Sequence, residues 1–207
     1  MKKGLTELVF ILDRSGSMAG MEEDLLGGFN SMIEKQKQEE GEAVVTTVLF
    51  SNDAERFHDR IPLEKVKPMT ERDYRVGGCT ALLDTIGDTI AHIQDVHRYI
   101  REEDRPEHTV FLITTDGFEN ASRRHSSQEV KKTIRSLEED GWKFVFVAAN
   151  IDAVETAESI GISKQMSANY CKSKAGTRNL FRAMGAVASM VRKDEEISAD
   201  WAESLRE

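Results

Sequence analysis

"LVFILDRSGSM", residues Leu8 to Met18, is the stretch on which the reading of the fold turns. Leu8 to Leu12 are apolar without a break, rich in the β-branched and aromatic types that suit a strand covered on both faces. The run stops at Asp13. Beyond it Ser15 and Ser17 stand on alternate positions, with Gly16 between them and Gly20 where a helix should open. Three small oxygen-bearing side chains at the tip of a buried strand can cap a helix, hold a phosphate, act as a nucleophile or coordinate a metal.

The rest of the chain repeats the opening pattern. Ala43 to Phe50, Thr109 to Thr115 and Lys143 to Ala149 are further strand-like runs. Segments of helical period lie between them. One stripe is Met21, Leu25, Phe29, Met32 and Ile33; another is Leu82, Ile86, Ile90, Ile93 and Ile100. Shorter ones follow at Val130, Ile134 and Leu137, and at Leu180, Met184, Val187 and Val191. Gly41 and Gly141 stand where helices should stop. Strands alternating with helices predict an α/β, doubly wound, Rossmann-like domain: a mostly parallel central sheet with helices on both faces. Residues 55–66, with Pro62 and mixed polarity, predict an exposed hairpin and one antiparallel edge strand. The reading places one domain over residues 1–192 and a charged C-terminal tail over 193–207, solvated and frayed despite its Trp201.

Composition narrows the classes of function. The chain has 207 residues, 39% hydrophobic and 31% charged, enough for one substantial core. Twenty-eight basic against 37 acidic side chains leave a formal charge of −9, which excludes a nonspecific nucleic-acid binder. No apolar stretch reaches transmembrane length, so no membrane partner is expected. Lys2 and Lys3 precede an apolar run, but Glu7 interrupts it and Asp13 ends it, too soon for a secretion signal. Cys79 and Cys171 lie far apart and read as reduced thiols. The expectation is a soluble cytoplasmic protein.

In open parallel sheets ligands sit beyond the carboxyl ends of the strands. Asp13 to Ser17 follow the first run, Gly78 to Leu82 open the second long helix, and Thr115-Asp116-Gly117 follow the run around Val110. Three hydroxyls and two carboxylates on one sheet edge make an all-oxygen set, suited to a hard cation such as Mg2+. Neutral hydroxyls leave much of the cation's charge uncompensated, so the ion should take an acid from a partner. Each piece also has a plain structural role. Ser17 or Asp13 can cap the first helix, Thr80 its own, and Asp116-Gly117 is a common turn dipeptide.

Taken together, "DRSGS", "GGCTAL" and "TTDGFENAS" resemble the three segments of the metal-ion-dependent adhesion site of von Willebrand factor type A domains. The family residues fall on Asp13, Ser15 and Ser17, on Thr80, and on Asp116, and the likeness runs from Leu5 to about Arg192. It looks most like the small stand-alone bacterial members, the tellurite-resistance-associated proteins among them. The resemblance implies that Ser15, Ser17 and Thr80 touch the metal directly in the ligand-competent state, while Asp13 and Asp116 act largely through waters. It also implies that without a ligand the Thr80 contact loosens and Asp116 moves closer. The function so implied is protein–protein interaction, a partner's Asp or Glu completing the site, with Arg14 and Phe118 on its rim. Mg2+ is the expected cation, Mn2+ the next choice, and Ca2+ the least suited because it wants several carboxylates.

Two other classes compete. One is a scaffold with a structural metal and a partner surface elsewhere. The other is a Mg2+-dependent phosphatase of the haloacid dehalogenase type, in which a second aspartate should stand where Ser15 stands. Ser15 cannot supply that acid–base step, and Lys131 and Lys132 read as solvated helix-face residues. A serine hydrolase lacks its Gly-x-Ser-x-Gly elbow, with His125 the one histidine near the site. His92 and His97 do not share a helical face well enough for a zinc pair. The expectation is a binding module, not an enzyme.

Overall fold

The computed structural model describes residues 1–205. The first run forms β1 (Lys2–Asp13), buried from Leu5 onward. It lies between β2 (Glu42–Phe50) and β4 (Pro106–Thr115), parallel to both, so its backbone donors and acceptors are paired on each side. β5 (Lys143–Ala148) and β6 (Ser167–Asn169) extend the sheet in parallel beyond β4. β3 (Ala54–Pro62) runs antiparallel along the opposite edge, as the mixed polarity of residues 55–66 predicts. The order is β3-β2-β1-β4-β5-β6.

A period of two is hidden inside the unbroken apolar run of β1. Leu8, Phe10 and Leu12 enter one core, with α1 (Glu22–Gln36) and α5 (Lys174–Arg192). Val9 and Ile11 enter the other, with α2 (Leu82–Tyr99), α3 (Ser127–Glu139) and α4 (Ala153–Ser159). Each core is sheet on one side and helix on the other, which is why the strand can be apolar throughout. In the first core Phe10, Phe29 and Phe181 meet edge to face at 5.5 and 6.1 Å. The Phe181 ring occupies the place where a side chain at position 28 would begin, so Gly28 brings α1 and α5 into close packing.

Glu7, which breaks the apolar pattern, is fully buried and has a structural reason. One oxygen meets Arg60 Nε at 2.8 Å and the other meets His97 Nε2 at 2.8 Å. Arg60 reaches it from a β-bulge: the register shifts near Thr47, Arg60 has φ +51°, and its N–H donates to Thr46 Oγ1. A lone carboxylate there would cost several kcal/mol; two partners on two elements compensate it.

Two elements carry no clear signal in the sequence. α4 is seven residues and β6 three, both too short for a period to show. The tail corrects the solvated reading. Trp201 and Leu205 are buried against the first core, and Trp201 Nε1 donates to the Gln165 carbonyl at 2.8 Å. Charge dominates the composition of residues 193–207, yet one aromatic and one leucine decide the packing; residues 206–207 lie outside the described part. Among the described residues no helix is long and apolar enough to cross a membrane.

Candidate metal centre

The connection that leaves β1 runs to β2 and the one that leaves β4 runs to β5, in opposite directions, and they open a crevice beyond the carboxyl ends of β1 and β4. Asp13 ends β1 and Thr115 ends β4. Both are buried, and they are bonded to each other: the Thr115 hydroxyl donates to Asp13 Oδ2 at 2.5 Å. The other carboxylate oxygen accepts the Ser15 N–H at 2.7 Å, which bends the chain back after the strand. Ser15 Oγ lies 3.0 Å from Ser17 Oγ, and the Ser17 hydroxyl donates to Asp116 Oδ1.

The loop before α2 is clasped to this first loop by backbone. Gly16 N–H donates to the Gly78 carbonyl at 3.0 Å, and Gly77 N–H to the Arg14 carbonyl at 2.9 Å. Gly78 has φ +83°, which strongly favours glycine. Asn52 accepts from Cys79 N–H at 2.6 Å, while Asn120 accepts from Thr80 N–H at 2.8 Å. Asn120 N–H also donates to the Thr80 carbonyl at 3.1 Å, so both backbone groups of Thr80 are held, and its hydroxyl lies beside Gly117. A Cβ on Gly117 would lie 3.3 Å from Thr80 Oγ1 and 3.5 Å from Ser17 Oγ. The hydrogen of Gly117 therefore marks a small space bordered by hydroxyls from two loops.

The capping roles open to these residues are not the ones they play. The N-cap of α1 is Met21 and that of α2 is Ala81, neither with a side-chain cap. At α2 the early N–H groups of Leu83 and Asp84 are met by Glu119 Oε2 and Ser122 Oγ, at 2.9 and 3.0 Å. The third segment caps the helix in trans, so the Thr80 hydroxyl need not.

Electrostatically the crevice holds two buried acids. Burial pushes the Asp13 carboxyl above its ordinary value; the bonds from Thr115 and Ser15 oppose this, and nearby Asp116 adds to it. Two phenols line the floor. The Tyr74 hydroxyl donates to the Asp13 carbonyl, and burial followed by the charge of Asp13 raises its pKa well above the usual range. Tyr170 is raised by burial and then by Asp116 and Asp13. Both phenols stay protonated, and that of Tyr74 acts as a donor.

The donor chemistry fits a small hard cation: three hydroxyls, two carboxylates and a space kept open by Gly117. Asp116 Oδ2 is buried and accepts no hydrogen bond; its one close partner is the ammonium of Lys172 at 2.6 Å. Among the described residues no three His, Cys, Asp or Glu gather into a metal cluster, so a cation here would rest on hydroxyls as well as acids.

Asp13, Ser15, Ser17, Thr80 and Asp116 thus come together, as the motif spacing predicts. On the rim Phe118 is 68% exposed, whereas Arg14 is paired with Glu55 at 2.8 Å. His125 points elsewhere, to Asp88 at 2.9 Å, and Lys131 donates to the Glu158 carbonyl. Sequence reasoning missed Thr115, Tyr74, Tyr170, Asn120 and Lys172. Lys172 Nζ stands 2.6 Å from Asp116 Oδ2 and donates to the Ser17 carbonyl. It lies just past the carboxyl end of β6, on the ligand edge of the sheet, and no signal in the sequence marks it because β6 is too short to be read.

Comparison of the whole chain with solved structures gives the architecture its name. Proximal thread matrix protein 1 from the mussel byssus superposes with a TM-score of 0.61 at 15% identity, over 91% of this chain and 46% of that one. A von Willebrand factor type A structure from Catenulispora acidiphila gives 0.57 at 13%, over 89% and 42%. The fold is that of a von Willebrand factor type A domain. The ArnB paralog VWA2 from Sulfolobus acidocaldarius gives 0.55 at 16%, over 90% and 45%. This chain spans less than half the length of each of these structures. The thread matrix protein is also known with zinc in its adhesion-site motif, at a TM-score of 0.60, 15% identity and 90% and 46% coverage. By sequence, no family model and no curated protein matches the chain.

Proposed function

We propose that this chain is a metal-dependent protein–protein interaction module, and that a partner's Asp or Glu completes a cation site formed by Asp13, Ser15, Ser17, Thr80 and Asp116. The observation that carries the reading is the convergence of the Ser17 and Thr80 hydroxyls on the space at Gly117, beside two buried carboxylates. Mg2+ is the cation of choice, since two acids are too few for the carboxylate-rich cage that Ca2+ prefers. When bound, such an ion supplies Lewis acidity toward an incoming carboxylate.

The chain's own residues do the rest. Thr115 and the Ser15 N–H hold Asp13 in one orientation, so its charge is fixed before anything binds. Ser17 orients Asp116, and the backbone clasp between the Gly16 and Gly78 loops keeps Thr80 opposite. Preorganisation of this kind lowers the ordering cost of binding. Phe118, exposed beside the crevice, offers apolar contact to the partner. Arg14 is paired with Glu55 through one Nη, so a second acid would share its guanidinium.

The module is not an enzyme in this reading. Ser15 occupies the position where a phosphatase needs its acid, and Lys131 is engaged at Glu158. Placement among the small bacterial members, with the tellurite-resistance-associated branch and a cytoplasmic setting, rests on the sequence resemblance alone.

The test is capture of partner proteins by immobilised chain in Mg2+ and in EDTA, with Thr80→Ala and Asp116→Ala as controls and calorimetry for the ion itself. Capture should need Mg2+ and vanish in both variants. Equal capture in EDTA would sink the reading and favour a scaffold with its partner surface elsewhere.

A further inference from the structure

Two buried carboxylates in one crevice need compensation whenever no metal is present. Asp13 has only neutral donors: Thr115 and the Ser15 N–H. Asp116 has the Ser17 hydroxyl on one oxygen, and its other oxygen faces the ammonium of Lys172 at 2.6 Å. Among the described residues no other lysine or arginine comes within ion-pair distance of either acid. The same ammonium donates to the Ser17 carbonyl, so it bridges the first and third segments of the site.

Lys172 reaches this position from a well-held base. Tyr170, two residues earlier, is buried, and its N–H donates to the Ala148 carbonyl at 2.9 Å. Ser173, the next residue, caps α5 by accepting from Gly176 N–H at 3.0 Å. Gly176 in turn packs so closely on the Cys171 carbonyl that no Cβ would fit. The backbone is thereby anchored on both sides of the lysine, while the side chain is 24% exposed and has a flexible four-carbon stem. It can leave for solvent without disturbing the loop.

We propose that Lys172 is a built-in counter-cation of the adhesion site, which neutralises Asp116 in the metal-free protein and must swing out when a divalent ion binds. The inference rests on the metal reading above. The ammonium and a divalent ion on one carboxylate repel each other strongly at this range, so lysine and metal compete for Asp116. The competition sets the metal affinity lower than the donor set alone would give, and makes the ion exchangeable.

The experiment compares wild type, Lys172→Met and Lys172→Arg by calorimetric Mg2+ titration and by thermal unfolding in EDTA and in saturating Mg2+. Lys172→Met should bind Mg2+ about tenfold more tightly, within the ordinary range of coupling between sites. It should melt lower than wild type in EDTA and level with it in Mg2+. Lys172→Arg, which keeps the charge, should stay close to wild type. On wild type alone, mass-spectrometric acetylation of Lys172 should be slow in EDTA and fast in Mg2+, a readout that survives if the variants fold poorly. Unchanged or weaker Mg2+ affinity in Lys172→Met, or a lysine still protected in Mg2+, overturns the proposal and leaves the metal site standing. No Mg2+ binding by any of the three proteins overturns both.

Discussion

Replacing Asp13 by Asn should make the metal-free protein more stable and the metal response disappear. The side chain is isosteric, and its new bonds can be traced. Oδ1 keeps the Ser15 N–H, and Nδ2 donates to Thr115 Oγ1, whose proton turns to the Gly117 carbonyl 3.2 Å away. Two charge-assisted bonds become neutral ones, a loss of about 1–2 kcal/mol together. Against this stands the desolvation of a buried carboxylate with no cation of its own, a penalty of several kcal/mol. The balance favours Asn by about 1 kcal/mol, or about 2–4 °C in Tm for a chain of this size.

The pH dependence gives a second check. Burial raises the Asp13 pKa above 3.8, so the folded state holds this proton more tightly than the unfolded chain. Its contribution to stability is complete below 3.8 and is lost as pH rises through the folded value. The advantage of Asp13→Asn in EDTA should therefore be present at neutral pH and shrink toward zero on acidification. With Mg2+ at about a hundred times its Kd, wild type should gain about 2.7 kcal/mol and melt about 5–10 °C higher, and the variant should gain nothing. Differential scanning fluorimetry in EDTA and in Mg2+, at two pH values, measures all of this. A variant less stable than wild type in EDTA by 1 kcal/mol refutes the desolvation account, and an undiminished Mg2+ shift refutes the role of Asp13 in the site.

Two other substitutions separate the site from the scaffold. Gly117→Ala places a methyl 3.3 Å from Thr80 Oγ1 and 3.5 Å from Ser17 Oγ; Mg2+ affinity should drop at least about tenfold, while stability in EDTA changes by no more than about 1 kcal/mol. Calorimetry and melting on one sample decide it, and a normal Mg2+ isotherm would show that the space at Gly117 is not where the ion sits. Trp201→Ala removes a buried aromatic and its bond to Gln165, and urea unfolding should report a loss of about 3 kcal/mol. A loss below about 0.5 kcal/mol would return residues 193–205 to the status of a solvated tail.

The fold was legible because its signals are local. An unbroken run such as Leu8 to Leu12 can form a doubly covered strand wherever it lies, and alternation with helical stripes dictates crossover connections. The site was legible for a related reason: strand tips and helix openings on one edge of a parallel sheet converge whatever the side chains between them, so Asp13 and Asp116 could be placed there from their positions after apolar runs and Thr80 from its place before the second long helix. α4 and β6 escaped because seven and three residues carry no measurable period. Glu7 read as an interruption of a strand, since Arg60 and His97, its partners, lie 53 and 90 residues away.

What the amino-acid order determined by itself, then, is the α/β class, the sheet edge that carries the chemistry, and the oxygen-donor types placed there. Tertiary structure alone decided how that chemistry is compensated and enclosed. Lys172 meets Ser17 across 155 residues, Tyr74 meets Asp13 across 61, and Trp201 meets Gln165 across 36. None of these pairings follows from residue type or spacing. Each depends on which loops the packed cores bring within a few ångströms, and a buried charge is stabilised only by a partner at that range.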